Sequence, residues 1–283
     1  MRQLFGRRTW LEILALAFLI PVLVWVLNGM EKRLIFYPHK TIIATPADEG
    51  LAYDDVSFKT SDGVVLNGWF VPGKPGSATL LWFHGNAGNI SHRVENITLL
   101  HNLLGIHVFI FDYRGYGRSE GKVSEKGTYR DAEAAYTYLR SRKDLDPSKI
   151  VFFGRSLGAA VAVEMALRAQ CAGLILESPF TSIREIANHV FPLVGFLFRT
   201  RYDSLSKIKR IRVPLLILHG DQDEIVPFSM GRRLFEAANE PKEFYRIKGA
   251  DHNDTYLVGG IAYFEALGRF IETATAGPRP NDQ

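Results

Sequence analysis

The sequence contains one cysteine, Cys171, in 283 residues. A lone thiol can form neither an intrachain disulfide nor a thiolate cluster, which excludes a disulfide-stapled scaffold and a cysteine metal centre. Internal repeats and low-complexity tracts are absent as well. With 47% hydrophobic and 23% charged residues, 25 Gly and 13 Pro, the chain lacks the extremes of disordered, collagenous or multi-span membrane proteins. It also lacks a basic stripe. Of the formal net charge of +4, residues 1–33 carry +3, through Arg2, Arg7, Arg8, Lys32 and Arg33 against Glu12 and Glu31, which leaves +1 for the other 250 residues. A nucleic-acid partner is therefore not expected.

What is present begins with an apolar run. Trp10 to Leu27 is 18 residues long and only Glu12 and Pro21 interrupt it. As a helix it would span about 27 Å, just enough for a bilayer. A buried soluble helix normally keeps a polar side, and Ile13 to Leu27 has none. The residues that follow, Asn28-Gly29-Met30-Glu31-Lys32, offer no small-x-small cleavage pattern, so an uncleaved anchor is expected over residues 1–33, with its helix at about 10–28. Arg2, Arg7, Arg8 and the terminal amine precede the span, and Lys32, Arg33 and Lys40 follow it. This slight bias predicts a single-pass protein with a cytoplasmic amino terminus and an extracytoplasmic domain.

From residue 34 to 276 the pattern is that of one α/β domain, with a polar tail at 277–283 expected to be disordered. Asp54–Thr60 and Val64–Val71 read as a hairpin around Ser61-Asp62-Gly63. Short runs rich in Val, Ile, Leu and Phe then recur at Thr79–Phe83, Ile106–Phe111, Ile150–Phe153, Gly173–Leu176 and Pro214–Leu218, as in parallel strands buried on both faces. Helical stretches alternate with them at His92–Leu104, Thr128–Arg142, Leu157–Arg168 and Met230–Ala238. The fold class this implies is α/β, with a mostly parallel central sheet covered by helices on both faces. Residues 180–212 break the alternation. Their apolar stretch Val190–Phe198 is either a helix packed on the sheet or a small cap over an apolar pocket or membrane surface.

The chemistry concentrates at Gly154-Arg155-Ser156-Leu157-Gly158, between a predicted strand and a predicted helix. A serine there must make a sharp turn, and glycines two residues to either side remove Cβ atoms that would collide. The helix start also aims backbone N–H groups at the place where an oxyanion would form. A serine hydroxyl needs a base, and the base needs an orienting carboxylate. After the strand Pro214–Leu218 comes His219-Gly220-Asp221-Gln222-Asp223-Glu224, and after the strand Glu243–Ile247 comes Gly249-Ala250-Asp251-His252. Serine, acid, histidine is the chain order of α/β-hydrolases, with the choice among these carboxylates still open. The second oxyanion donor is expected in the turn Phe83-His84-Gly85-Asn86-Ala87-Gly88-Asn89. The N–H groups of Asn86 and Leu157 are assigned to it, with Ala87 as the alternative donor. His84 reads as structural, Cys171 as a small hydrophobe, and Asp112 and Arg114 as holding the Gly115-Tyr116-Gly117 loop by backbone hydrogen bonds.

The motifs His84-Gly85-Asn86-Ala87-Gly88-Asn89, Asp112-Tyr113-Arg114-Gly115-Tyr116-Gly117-x-Ser119, Gly154-x-Ser156-x-Gly158, Glu177-Ser178-Pro179-Phe180, His219-Gly220-x-x-Asp223-x-x-Val226-Pro227 and His252-Asn253-Asp254 cover Leu34 to about Phe270 in order. Together they resemble membrane-anchored α/β-hydrolases of the class that includes eukaryotic protein depalmitoylases and bacterial serine aminopeptidase-like hydrolases. The resemblance implies that the acid is Asp223, with Asp221 at a variable position and Asp251 and Glu224 as lesser alternatives.

The sequence thus predicts a membrane-anchored serine hydrolase with Ser156, His252 and Asp223 as its triad. It would use neither metal nor cofactor. Its substrate would be an acyl ester or thioester, lipid or lipidated, and its other partner the membrane lipid around the amino-terminal helix. A serine peptidase and a non-catalytic membrane-tethered binding module are the alternatives.

Overall fold

The computed structural model describes residues 10, 12–14, 17–19, 31–33, 35–190 and 199–276. The expected anchor and the 277–283 tail fall largely or wholly outside these residues. Among the described residues no helix is long and apolar enough to cross a membrane.

Eight strands form one sheet in the order β1-β2-β4-β3-β5-β6-β7-β8. They span Asp54–Lys59 (β1), Val65–Val71 (β2), Thr79–Phe83 (β3), His107–Phe111 (β4), Ile150–Arg155 (β5), Gly173–Glu177 (β6), Leu215–Gly220 (β7) and Lys242–Ile247 (β8). The β1–β2 and β2–β4 pairings are antiparallel, whereas β4, β3, β5, β6, β7 and β8 form a continuous parallel array. The helices are Val94–Leu104 (α1), Glu125–Ser141 (α2), Leu157–Ala166 (α3), Ile183–Val190 (α4), Ser204–Ile208 (α5), Phe228–Ala237 (α6) and Thr255–Thr275 (α7).

Because side chains alternate along a strand, each central strand feeds two cores. Leu81, Phe83, Phe152, Leu174 and Ile217 join Tyr129 and Ala135 of α2, Val161 of α3 and Leu234 of α6 on one face. Leu80, Trp82, Phe153, Ile175 and Leu216 join Ile97 of α1 and Phe264 and Leu267 of α7 on the other. The expected strands are all present, with ends that differ by one or two residues. Helix α7 was not singled out by its sequence. Its Gly259-Gly260 pair interrupts the helical pattern, and Gly260 indeed lies at φ 53°, ψ −145°, a kink inside the element.

Segment 180–212 is tied down at both ends. Phe180 and Ala187 are buried, Tyr202 is completely so, and α5 packs against α3 and α6. The apolar stretch 191–198 that motivated the cap reading lies outside the described residues. The two edge strands are strongly charged: β1 carries Asp54, Asp55 and Lys59, and β8 carries Lys242, Glu243 and Arg246.

Candidate active site

The parallel array ends on one side in the loops that hold the candidate residues, as open α/β sheets do. Ser156 sits between β5 and α3 at φ 53°, ψ −116°, a backbone conformation that non-glycine residues rarely adopt. The turn is possible because its flanking glycines lack side chains. A Cβ on Gly154 would lie 2.4 Å from the Gly158 carbonyl oxygen, and one on Gly158 would lie 1.9 Å from the Phe83 carbonyl oxygen. The start of α3 is thereby pressed against the end of β3, beside the loop that contains Asn86.

The structure brings Ser156, His252 and Asp223 together. Ser156 Oγ is 3.0 Å from His252 Nε2, and His252 Nδ1 is 2.8 Å from Asp223 Oδ2. Asp223 and His252 are buried, while Ser156 is half-buried. Asp223 Oδ1 accepts the N–H groups of Ile225 (3.0 Å) and Val226 (2.7 Å). His219 Nε2 lies 3.3 Å from Asp223 Oδ2 and 3.0 Å from the Val226 carbonyl oxygen. Burial alone would raise the carboxyl pKa, but the hydrogen bonds from His219, His252 and Val226 outweigh it and hold the group well below the usual carboxylate range. Asp223 is thus an anion next to the imidazole.

Two of the other candidate carboxylates are engaged elsewhere. Asp221 pairs with Arg246 at 2.6 Å and accepts the Gly249 N–H at 2.7 Å. Asp251 accepts the Glu224 N–H at 3.0 Å. These contacts zip the acid loop to the histidine loop. A Cβ built on Gly85 would lie 3.7 Å from Ser156 Cβ, so the residue that precedes Asn86 is packed next to the serine. Neither the Asn86 nor the Leu157 N–H donates to a loop or turn carbonyl among the described residues.

Sequence reasoning missed a buried ion pair that backs the histidine. Arg155 and Glu177 are register partners at the ends of β5 and β6, with Nε 3.0 Å from Oε1. Arg155 Nη2 donates to the His252 carbonyl oxygen at 2.7 Å. Glu177 accepts hydrogen bonds from Thr255 Oγ1 and from Tyr263 Oη, both on α7. The signal was present: opposite charges end two otherwise apolar strands, and buried charges require partners.

His84 is the histidine expected to be structural. It is fully buried, its Nδ1 lies 2.7 Å from the Gly85 carbonyl oxygen, and burial together with the positive charge of Arg93 lowers its pKa to about 3. The expectation for Asp112 and Arg114 is corrected. Asp112 Oδ1 accepts the Ile90 N–H at 3.0 Å. Arg114 clasps Asp131 of α2 and both oxygens of Asp62 in the β1–β2 turn, because a guanidinium here meets three carboxylate oxygens, that of Asp131 buried, before it meets the 115–117 backbone. Cys171 packs half-buried against the core, and burial pushes its thiol up to about 12. Among the described residues no group of three or more His, Cys, Asp or Glu side chains is placed to hold a metal ion.

Comparison with known proteins agrees with this architecture. The serine aminopeptidase, S33, family matches residues 74–207. An uncharacterised protein of Mycobacterium tuberculosis is 39% identical over 254 residues, covering 88% of this chain and 90% of its own. The α/β hydrolase domain-containing protein WAV2 of Arabidopsis thaliana is 36% identical over 286 residues, covering 92% and 93% respectively. Among solved structures, the Pyrococcus furiosus esterase Pf2001 shares the fold with a TM-score of 0.72 at 22% identity, over 84% of this chain and 99% of that one. From the sheet order, the serine turn and relatives matched over nearly their whole length, the chain belongs to the α/β-hydrolase superfamily.

Proposed function

We propose that this hydrolase is a membrane-anchored serine hydrolase that cleaves a carboxylic ester or thioester. The observation that carries the reading is the continuous hydrogen-bond chain from Ser156 Oγ through His252 to an anionic Asp223. In this mechanism Ser156 Oγ attacks the acyl carbonyl carbon while His252 Nε2 takes its proton. Asp223 holds the imidazole with Nδ1–H toward itself and stabilises the imidazolium. The N–H groups of Asn86 and Leu157 receive the developing oxyanion, each worth about 3 kcal/mol. His252 then protonates the leaving alcohol or thiol. Water, activated by the same imidazole, releases the acid from Ser156.

The anchor reading rests on residues 10–28. Where residues in that stretch are described they are helical, and Trp10, Leu14 and Phe18 are 67, 61 and 72% exposed. Large apolar side chains in such a row call for an apolar partner, and lipid supplies it. Placement in a membrane in turn favours a lipid or lipidated acyl substrate, with the domain outside the cytoplasm.

A fluorophosphonate probe applied to the membrane fraction tests the reading. The natural protein should label and Ser156→Ala should not. A natural protein that fails to label overturns the enzyme assignment. A panel of esters, thioesters and peptidyl amides then decides substrate class. Faster cleavage of peptides than of every acyl ester would replace the esterase by a peptidase, as the S33 family's name would have it. Protease protection in intact cells tests orientation: digestion only after lysis would reverse it.

A further inference from the structure

Residues 36–43 belong to no helix or named strand, yet together with Ile35 they follow the loop after β3 almost residue by residue. The Gly88 N–H donates to the Tyr37 carbonyl (3.2 Å), and the His39 N–H donates to the Gly88 carbonyl (3.1 Å). Pro38 and Gly88 form a parallel bridge. Asn89 Nδ2 donates to the carbonyls of His39 (3.0 Å) and Thr41 (2.7 Å), and the Ile43 N–H donates to Ser91 Oγ (3.0 Å). At the centre is the Asn86 side chain. Its Nδ2 donates to the Ile35 carbonyl, and its Oδ1 accepts the Tyr37 N–H (3.2 Å) and the Tyr116 hydroxyl (2.9 Å).

All three ties hold a residue whose backbone N–H is assigned to the oxyanion. The stretch is itself fixed: Ile35 and Phe36 are buried, the Phe36 ring meets that of Tyr202 edge-on at 6.3 Å, and Glu31 accepts the Thr200 N–H at 2.6 Å. We infer that residues 35–43 are a positioning strap that sets the Asn86 N–H for catalysis, with the Asn86 side chain as its clasp. The inference rests on the oxyanion role proposed above. It means that the segment joining anchor to domain is part of the catalytic apparatus, because an oxyanion donor displaced by about 1 Å loses up to 10²-fold in rate.

The test uses the full-length chain in detergent micelles, a chromogenic butyrate ester, and active sites counted by fluorophosphonate titration, so that misfolded molecules are not scored. Asn86→Ala opens the clasp while keeping the backbone N–H. Phe36→Ala loosens the strap without touching the loop. For both, kcat per titrated site should fall 10- to 100-fold with KM within threefold. Affinity for an alkyl boronic acid, whose tetrahedral adduct on Ser156 mimics the oxyanion, should fall by a factor that tracks kcat/KM. A merely structural role would lower the melting temperature and leave both quantities per titrated site unchanged. Should Asn86→Ala fail to fold, Phe36→Ala decides alone. Retention of kcat and boronate affinity within twofold in the folded variants overturns the strap. A natural protein that neither labels nor hydrolyses the ester overturns the proposed function instead.

Discussion

Two histidine–aspartate pairs lie just past the carboxyl ends of strands in this sheet, and their difference shows what makes a carboxylate useful. Asp223 and His252 follow β7 and β8; His84 and Asp112 follow β3 and β4. The first pair is hydrogen-bonded at 2.8 Å, whereas His84 Nε2 and Asp112 Oδ1 stand 3.6 Å apart. Asp223 receives two backbone N–H groups and two imidazoles, and its pKa is depressed. Among the described residues Asp112 receives one backbone N–H and its Oδ2 has no hydrogen-bond partner, and burial raises its pKa to about 7. The residue types are the same. The supply of donors separates an anion ready to stabilise an imidazolium from a carboxyl group that resists ionisation.

The sharpest way to break this comparison is to neutralise each acid. Asp223→Asn should lower kcat for an acyl ester by about 10⁴-fold, since the imidazole loses its tautomer and its counter-charge. Asp112→Asn should cost less than about tenfold, as expected of a group that touches no reacting atom. A reversed ranking would transfer the catalytic role to the β3–β4 pair.

A second test removes support from one pair only. Glu177→Gln leaves Arg155 buried without its counter-ion, which should cost about 3–5 kcal/mol of stability in denaturant unfolding. Because Arg155 also holds the His252 carbonyl, ester turnover should fall as well. Unchanged stability would show that the Arg155–Glu177 pair does not support the histidine loop.

A third test reads slopes against pH. Asp112 has a folded pKa raised from 3.8 to about 7, so the native state keeps a proton that the unfolded chain gives up. Its contribution to stability is greatest near pH 4 and is lost as pH rises to 7. His84 has a folded pKa lowered from 6.5 to about 3, and its contribution has the opposite sign: present above pH 6.5, lost as pH falls toward 3. Unfolding free energies of Asp112→Asn and His84→Gln, each subtracted from the natural protein across pH 4–8, should therefore slope in opposite directions. Parallel slopes would contradict the protonation states assigned to the buried pair.

Much of this arrangement was legible in the sequence because it is written locally. An apolar run followed by Gly-x-Ser-x-Gly and a helical stretch specifies strand, turn and helix within about twenty residues, and the parallel strands announce themselves by composition. The order Ser156, Asp223, His252 could be read along the chain, though choosing Asp223 over Asp221 needed resemblance to relatives. The Arg155–Glu177 pair was hidden because its meaning depends on β5 lying beside β6 in one register. The strap at 35–43 was hidden for another reason: it has no periodicity, and its hydrogen bonds go to a loop about 50 residues away. Asp112 misled because a turn-forming aspartate and a buried one look alike until the neighbours are in place.

The charged edge strands carry a consequence for how copies of this protein can meet. An unpaired strand with a flat apolar face is a template for strand addition, and proteins blunt such edges with charge. Here Asp54 and Asp55 at one end are paired with Arg142 and Arg118, and Lys242, Glu243 and Arg246 line the other. The sheet is thus closed to extension at both ends, so molecules crowded on a surface would have to associate through helices or loops, and aggregation by edge-to-edge pairing is opposed by the sequence itself.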